Sequence, residues 1–163
     1  MSKIDKSNAM RQLDSLHMAY SALTYESHGE AVDAVAVAAM IGEPPQRVYK
    51  ALVLQGSDRQ HYVCLLPGPA QLDLKAAAQC FGVKGLQMLP PDNLRAVTGY
   101  VRGGCSPLAM KKALKTAVDS SALQEPYVIV SGGRIGLQIR LMPGDLLKAT
   151  GAVTADLTLH GAP

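Results

Sequence analysis

Three short clusters hold most of the chemistry this sequence could perform. The first is Val48-Tyr49-Lys50, where a lysine enters an otherwise apolar run. An ammonium so placed can hold a phosphate or polarise a carbonyl. It can equally lay its methylene stem along a sheet and keep its charge in water. The second is Gly103-Gly104-Cys105-Ser106-Pro107. Paired glycines let a backbone approach a ligand and aim N–H groups at an oxyanion, and they also make ordinary tight turns. The third, Ser131-Gly132-Gly133-Arg134-Ile135-Gly136, has the look of a phosphate loop. It lacks the strand-to-helix setting of a dinucleotide fingerprint, so a hairpin turn explains most of it. Gly136 hints at a close backbone approach within a strand.

A protein nucleophile is hard to find. G-x-S-x-G, H-E-x-x-H and the P-loop are all missing from the sequence. Cys105 would need a base within hydrogen-bond reach, and the sequence names none. Cys64 falls in an expected strand and Cys80 in an expected helix, and both read as small core residues. Three scattered cysteines make no disulfide framework, and no histidine stands at a zinc-ligand spacing. No metal and no cofactor are expected, and a reducing cytoplasmic compartment is the simplest setting. His17 and His61 read as structural or exposed, while His28 and His160 lie in loops. Arg95, Arg102, Lys111, Lys112 and Lys115 thicken one stretch of the chain. They could track a phosphate backbone or form a solvated face.

The elements that must position these groups are legible from turn chemistry and periodicity. Residues 1–7 read as a tail. Ser7 or Asn8 can cap a helix with Met10, Leu13, Leu16 and His17 on one side. A strand over 21–26 and a small-residue helix over 31–40 follow, with Gly42 as terminator. Pro44 and Pro45 suit the first turn of a short helix. Strands 50–55 and 61–66 flank Gly56-Ser57-Asp58 and form a hairpin. Pro67-Gly68-Pro69 breaks the chain before a helix over 72–80, a strand over 86–89 and a short helix from Pro90 to about residue 97. The stretch 99–107 is loop, and 115–119 is a strand. A second hairpin pairs 127–131 with 135–141 around Gly132-Gly133-Arg134. Pro143-Gly144-Asp145 starts a helix to residue 150, a short strand follows, and the tail is loose from His160. Strands and helices mix without steady βαβ alternation. The expected fold is mixed α/β (α+β): one compact domain, its sheet mostly antiparallel or a partial barrel, flanked by helices. The domain is expected over 8–157, with tails at 1–7 and 158–163.

The bulk numbers agree. A chain of 163 residues with 48% hydrophobic content can bury a core, built mainly from aliphatic residues because aromatics reach only 4%. A net charge of +3 permits contact with a nucleic-acid backbone without requiring it. Lys3, Asp5 and Lys6 at the start leave no apolar signal segment. The most apolar run, 34–41, is too short to span a bilayer and abuts Asp33, so a soluble protein is expected.

Taken together and in order, the clusters carry a resemblance. Leu23-Thr24-Tyr25-Glu26 and Val48-Tyr49-Lys50 come first, then Pro69-Ala70-Gln71-Leu72-Asp73-Leu74-Lys75. Thr98-Gly99-Tyr100-Val101 leads into Gly103-Gly104-Cys105-Ser106-Pro107, and Val130-Ser131-Gly132-Gly133 with Gly136-Leu137 closes the set. Over roughly 8–157 the sequence resembles the YbaK family of free-standing aminoacyl-tRNA deacylases, which includes the editing domain inserted in bacterial prolyl-tRNA synthetases. The resemblance implies a pocket for the 3′ end of a charged tRNA and cleavage at the aminoacyl ester. It implies that Lys50 positions and stabilises the substrate and that Gly103, Gly104, Cys105, Ser106 and Pro107 line the pocket. Tyr25, Ala51, Gly133 and Gln138 join them as expected substrate-binding residues. The family's usual substrate is cysteine misplaced on proline tRNA, attacked by its own thiol, which would explain the missing protein nucleophile. Three departures stand out: Ala51 where Thr is usual, Gln138 where an acid is common, and Cys105 for an aliphatic residue. They leave the reaction class intact and bear on amino-acid specificity. Three functions follow in order: a deacylase for cysteine on tRNA(Pro) and on tRNA(Cys), a deacylase for alanine or another small amino acid, and a non-catalytic tRNA- or synthetase-binding module. A domain this small has no room for a tRNA-reading module, so transient association with a prolyl-tRNA synthetase is expected, and neither membrane nor DNA.

Overall fold

The computed structural model describes residues 5–159. In chain order the elements are α1 (Asn8–Ser15), β1 (Tyr20–Thr24), α2 (Ala34–Ile41), β2 (Tyr49–Gly56), β3 (His61–Pro67), α3 (Leu74–Phe81), β4 (Leu86–Met88), α4 (Leu94–Thr98), β5 (Lys115–Asp119), β6 (Val128–Ser131), β7 (Leu137–Leu141), α5 (Pro143–Thr150) and β8 (Val153–Ala155). Single 3-10 turns occur at Pro45–Arg47, Pro91–Asn93 and Ser120–Gln124.

The helices begin and end where their caps dictate. Ser7 accepts the Met10 N–H through Oγ at 3.2 Å and starts α1, which buries Ala9, Met10 and Leu13. The helix stops sooner than its apolar pattern suggests. His17 takes a left-handed φ of 57°, so that the N–H groups of His17 and Met18 return to Asp14 O and Leu13 O at 3.1 and 3.0 Å. This closing motif satisfies the last carbonyls. It also corrects an expectation: Leu16 is exposed and His17 lies beyond the helix, not on its apolar side. Asp33 caps α2, accepting the Ala36 N–H at 2.8 Å. The helix therefore starts three residues later than expected, which leaves residues 31–33 outside it, with Asp33 extended. At the front, the Asp5 carbonyl accepts from Arg134 at 2.8 Å and Lys6 pairs with Asp14. Residues 1–4 of the expected tail, and the expected loose end from His160, lie outside the described residues.

The strands form two sheets. The larger runs β4-β2-β3-β5-β8, with β2 antiparallel to β3 and β4, and β5 parallel to β3 and β8. The smaller runs β1-β7-β6, all antiparallel, and places Gln138 between Leu23 and Ser131. A single parallel bridge between Val48 and Ile129 ties the two sheets just before Lys50. The fold is thus mixed α/β, mostly antiparallel, with no closed barrel. Leu65, Val118, Val130, Leu137, Ile139 and Leu146 are fully buried in the core shared by both sheets. A second core, with Leu54, Tyr62, Cys64, Leu66 and Leu157, includes Ala77 of α3. Among the described residues no helix is long and apolar enough to cross a membrane.

One buried polar chain crosses this core. Asp119, 4% exposed, accepts the Leu157 N–H at 2.8 Å through one oxygen. Its other oxygen accepts the Ser121 N–H at 3.2 Å and the Ser121 hydroxyl at 2.5 Å. The Ser121 hydroxyl has one proton, so the Tyr49 hydroxyl, 2.6 Å away, must donate to it. Burial pushes the Tyr49 phenol up to about 12, which keeps it a donor. Asp119 thereby fixes Tyr49, the residue immediately before Lys50. Asp119→Ala would strand three donors, the buried Leu157 N–H and the two of Ser121, and should lower the unfolding free energy in urea by about 3 kcal/mol. A loss under 1 kcal/mol would show that water replaces the carboxylate.

Candidate active site

Lys50 sits on the first turn of the pleat in β2. Strand alternation sends Tyr49 into the main core and Lys50 to the opposite face. Its ammonium donates to Gly68 O at 3.0 Å and Ala70 O at 2.7 Å. Both carbonyls belong to the break after β3, and the Gly68 N–H is in turn fixed on Val48 O at 2.8 Å. Burial lowers the proton affinity of Lys50, and the nearby Asp33 carboxylate partly restores it. An ammonium has three N–H groups, and two are taken, so one remains for a ligand.

This lysine lies in the wall of a cleft of about 350 Å³ at the seam of the two sheets. Ala51 and Leu52 from β2, Ser131 from β6 and Gln138 from β7 line it with Arg102, Gly103 and Cys105 from the glycine loop. The opposite wall is the segment 31–34, which leads into α2, together with Val37. Glycines set its distance. A Cβ on Gly103 would come within 2.9 Å of the Ala31 Cα, and Gly103 has a φ of +84°. A Cβ on Gly68 would meet the Ala34 Cβ at 2.9 Å. Segment 31–34 is therefore wedged between the glycine loop and the loop that holds Lys50, each contact being possible only without a side chain.

Five of the residues expected from sequence meet at this cleft: Lys50, Ala51, Gly103, Cys105 and Gln138. Gly104, Ser106, Pro107 and Gly133 are not among its lining residues. Gly104 is packed on the Arg134 backbone, where a Cβ would lie 3.0 Å from Cα. The fully buried Ser106 accepts the Leu108 N–H at 3.2 Å. Gly133 lies under the Tyr100 ring, whose hydroxyl donates to Leu108 O at 2.5 Å and so braces the loop. Tyr25 is not in the lining. Its N–H bonds Gly136 O at 3.0 Å, and its buried hydroxyl finds no partner among the described residues. Gln138 is 5% exposed, and its amide makes no hydrogen bond among the described residues, so it is free to face a ligand. Sequence reasoning placed residues 31–33 inside the helix expected over 31–40 and gave them no part in the site. The signal was available, since an aspartate ahead of a small-residue helix is an N-cap and ends the helix there.

The electrostatics disfavour a thiol nucleophile. Burial pushes Cys105 up to about 11, Cys64 up to about 12 and Cys80 upward as well. None is a thiolate near neutrality, and only the thiolate attacks. Among the described residues no group of three His, Cys, Asp or Glu side chains could hold a metal. Iodoacetamide should label Cys105 roughly a hundredfold more slowly than a free cysteine at neutral pH. A raised pKa keeps the proton on longer, so the labelling rate should climb with pH towards about 11 instead of levelling near 8.5. Fast labelling at pH 7, followed by peptide mass, would contradict this reading.

Comparison with known proteins agrees with the geometry. Residues 28–149 match the aminoacyl-tRNA editing domain. The chain is 37% identical over 153 residues to EbsC of Enterococcus faecalis, named as a candidate Cys-tRNA(Pro)/Cys-tRNA(Cys) deacylase, covering 94% of this chain and 93% of that one. A crystal structure described as a candidate trans-editing enzyme for prolyl-tRNA synthetase superposes with a TM-score of 0.80 at 27% identity, over 95% of this chain and 99% of that one. A proline–tRNA ligase of Pelobacter propionicus is 29% identical over 83 residues, which is 51% of this chain but only 14% of the ligase. The matched family spans the cleft, Lys50 and the glycine loop alike, and the chain belongs to it: this is an aminoacyl-tRNA editing domain of the YbaK type.

Proposed function

We propose that the protein is a trans-editing deacylase that removes cysteine from mischarged tRNA(Pro), with Cys-tRNA(Cys) as a second substrate. The observation that carries the reading is the Lys50 ammonium, held on two carbonyls with one N–H to spare, in a small cleft whose lining thiol, Cys105, stays protonated near neutrality. The likeness to EbsC supports the substrate. Lys50 would donate its free N–H towards the ester carbonyl or the terminal ribose. The N–H groups of Gly103 and Cys105, which bond no acceptor among the described residues, could take the developing oxyanion. The substrate's own thiol supplies the attack: the S–C bond forms, the ester C–O bond breaks, and the thiol proton passes to the departing ribose oxygen. The protein then contributes position and electrostatics, which is what this cleft is built to give. The catalytic role of Lys50 and the binding roles of Ala51, Gly103, Cys105 and Gln138 are part of this proposal.

The first test is single-turnover release from tRNA(Pro) charged with cysteine, alanine or proline, with wild type and Lys50→Ala. Cysteine should leave fastest, and Lys50→Ala should slow it by about 100-fold. Release of alanine without cysteine would keep the family and change the substrate. Binding with no release at all would favour a tRNA-binding module.

Affinity for tRNA is proposed to come from Arg95, Arg102, Lys111, Lys112 and Lys115, all exposed and in no ion pair among the described residues. Lys111→Glu with Lys112→Glu should lower kcat/KM several-fold at low salt and much less at high salt. A salt-independent loss would point to misfolding. Transient association with prolyl-tRNA synthetase is proposed to supply tRNA identity, and in this reading added synthetase accelerates release. Equal rates with and without it would count against the complex.

A further inference from the structure

An aminoacyl ester carries an α-ammonium whatever its side chain, so a site that reads it needs a carboxylate or several carbonyl acceptors. The family position expected to supply an acid is Gln138 here, and an amide brings no charge. The cleft is lined by three charged residues, Lys50, Arg102 and Asp33. Two are cations and would repel an ammonium. Asp33 is the one acid in the lining.

Its placement suits the task. Asp33 precedes Ala34, whose Cβ faces Gly68, and Gly68 O holds the Lys50 ammonium. The carboxylate is near enough for its field to be felt at Lys50. One oxygen is committed to the Ala36 N–H at 2.8 Å, and the other receives no donor among the described residues. Gln138, on the far sheet, lines the same cleft with an uncharged amide. Asp33 as a helix cap alone would need only the first of these oxygens.

We propose that Asp33 binds the α-ammonium of the aminoacyl ester, taking over the charge that Gln138 cannot supply. The assignment rests on the deacylase reading above and names the residue that reads the amino group. An ammonium drawn towards Asp33 leaves the ester carbonyl on the Lys50 side of the cleft.

The test compares two esters on the same tRNA(Pro): cysteine, and 3-mercaptopropionate, which keeps the thiol and lacks the amine. Wild type, Asp33→Asn and Asp33→Ser are assayed in single turnover below saturation. Both substitutions retain an N-cap acceptor, so α2 should keep its start. For each ester the variant rate is divided by the wild-type rate, which cancels the intrinsic difference between esters. Both variants should release cysteine about tenfold more slowly, the worth of one charge-assisted hydrogen bond at a partly exposed site, and leave 3-mercaptopropionate unchanged. An equal slowing of both esters, or of neither, overturns the assignment. A wild type that releases neither ester overturns the cysteine-deacylase reading itself, and this assignment with it.

Discussion

A half-buried ammonium fixed on two backbone carbonyls organises this molecule. Lys50 cannot leave Gly68 O and Ala70 O without stranding a cation in a partly dry wall, and the loop cannot move without losing its charged clamp. Much of the surrounding structure serves to keep that contact in place. The Val48–Ile129 bridge joins the sheets two residues earlier, and the Tyr49–Ser121–Asp119 chain pins the residue between. The lysine is therefore presented from a rigid strand, not from a loop. A site built this way loses little orientation entropy when a substrate arrives.

The opposite wall is held by close approach instead of by charge. Segment 31–34 lies against Gly103 on one side and Gly68 on the other, at distances that no side chain permits. That single segment thus couples the glycine loop to the lysine loop across the cleft. Apolar residues make up most of the lining, and only three charges reach it. Within such a lining the few charged groups stand out, because electrostatic contacts are stronger beside apolar walls than in bulk water.

Local chemistry was legible in the sequence wherever a turn or cap decided the outcome. The hairpin around Gly56-Ser57-Asp58, the strand Lys115–Asp119 and the helix Pro143–Thr150 all lie where turn residues and proline placed them. The end of α1 was not, because the apolar repeat continues through Leu16 while the backbone turns left-handed at His17. The parallel pairing of β5 with β3 and β8 was not legible either, since it depends on contacts distant in sequence that no local pattern encodes. At the site, Lys50, Gly103 and Cys105 lie in clusters the sequence singles out, Ala51 and Gln138 follow only from the family resemblance, and all five reach one cleft. Asp33 could not, because its significance comes from Gly68 and Gly103 folding onto its flanks.

The central claim is that the substrate brings its own nucleophile to a site that only positions it. Its most direct measurement is single-turnover release of cysteine and of serine from the same tRNA(Pro), each corrected for spontaneous loss. Serine has nearly the same shape and a far poorer nucleophile. Rapid release of cysteine with serine left attached is the expected result. Release of both at similar rates would mean that water or a protein group attacks, and would contradict the claim.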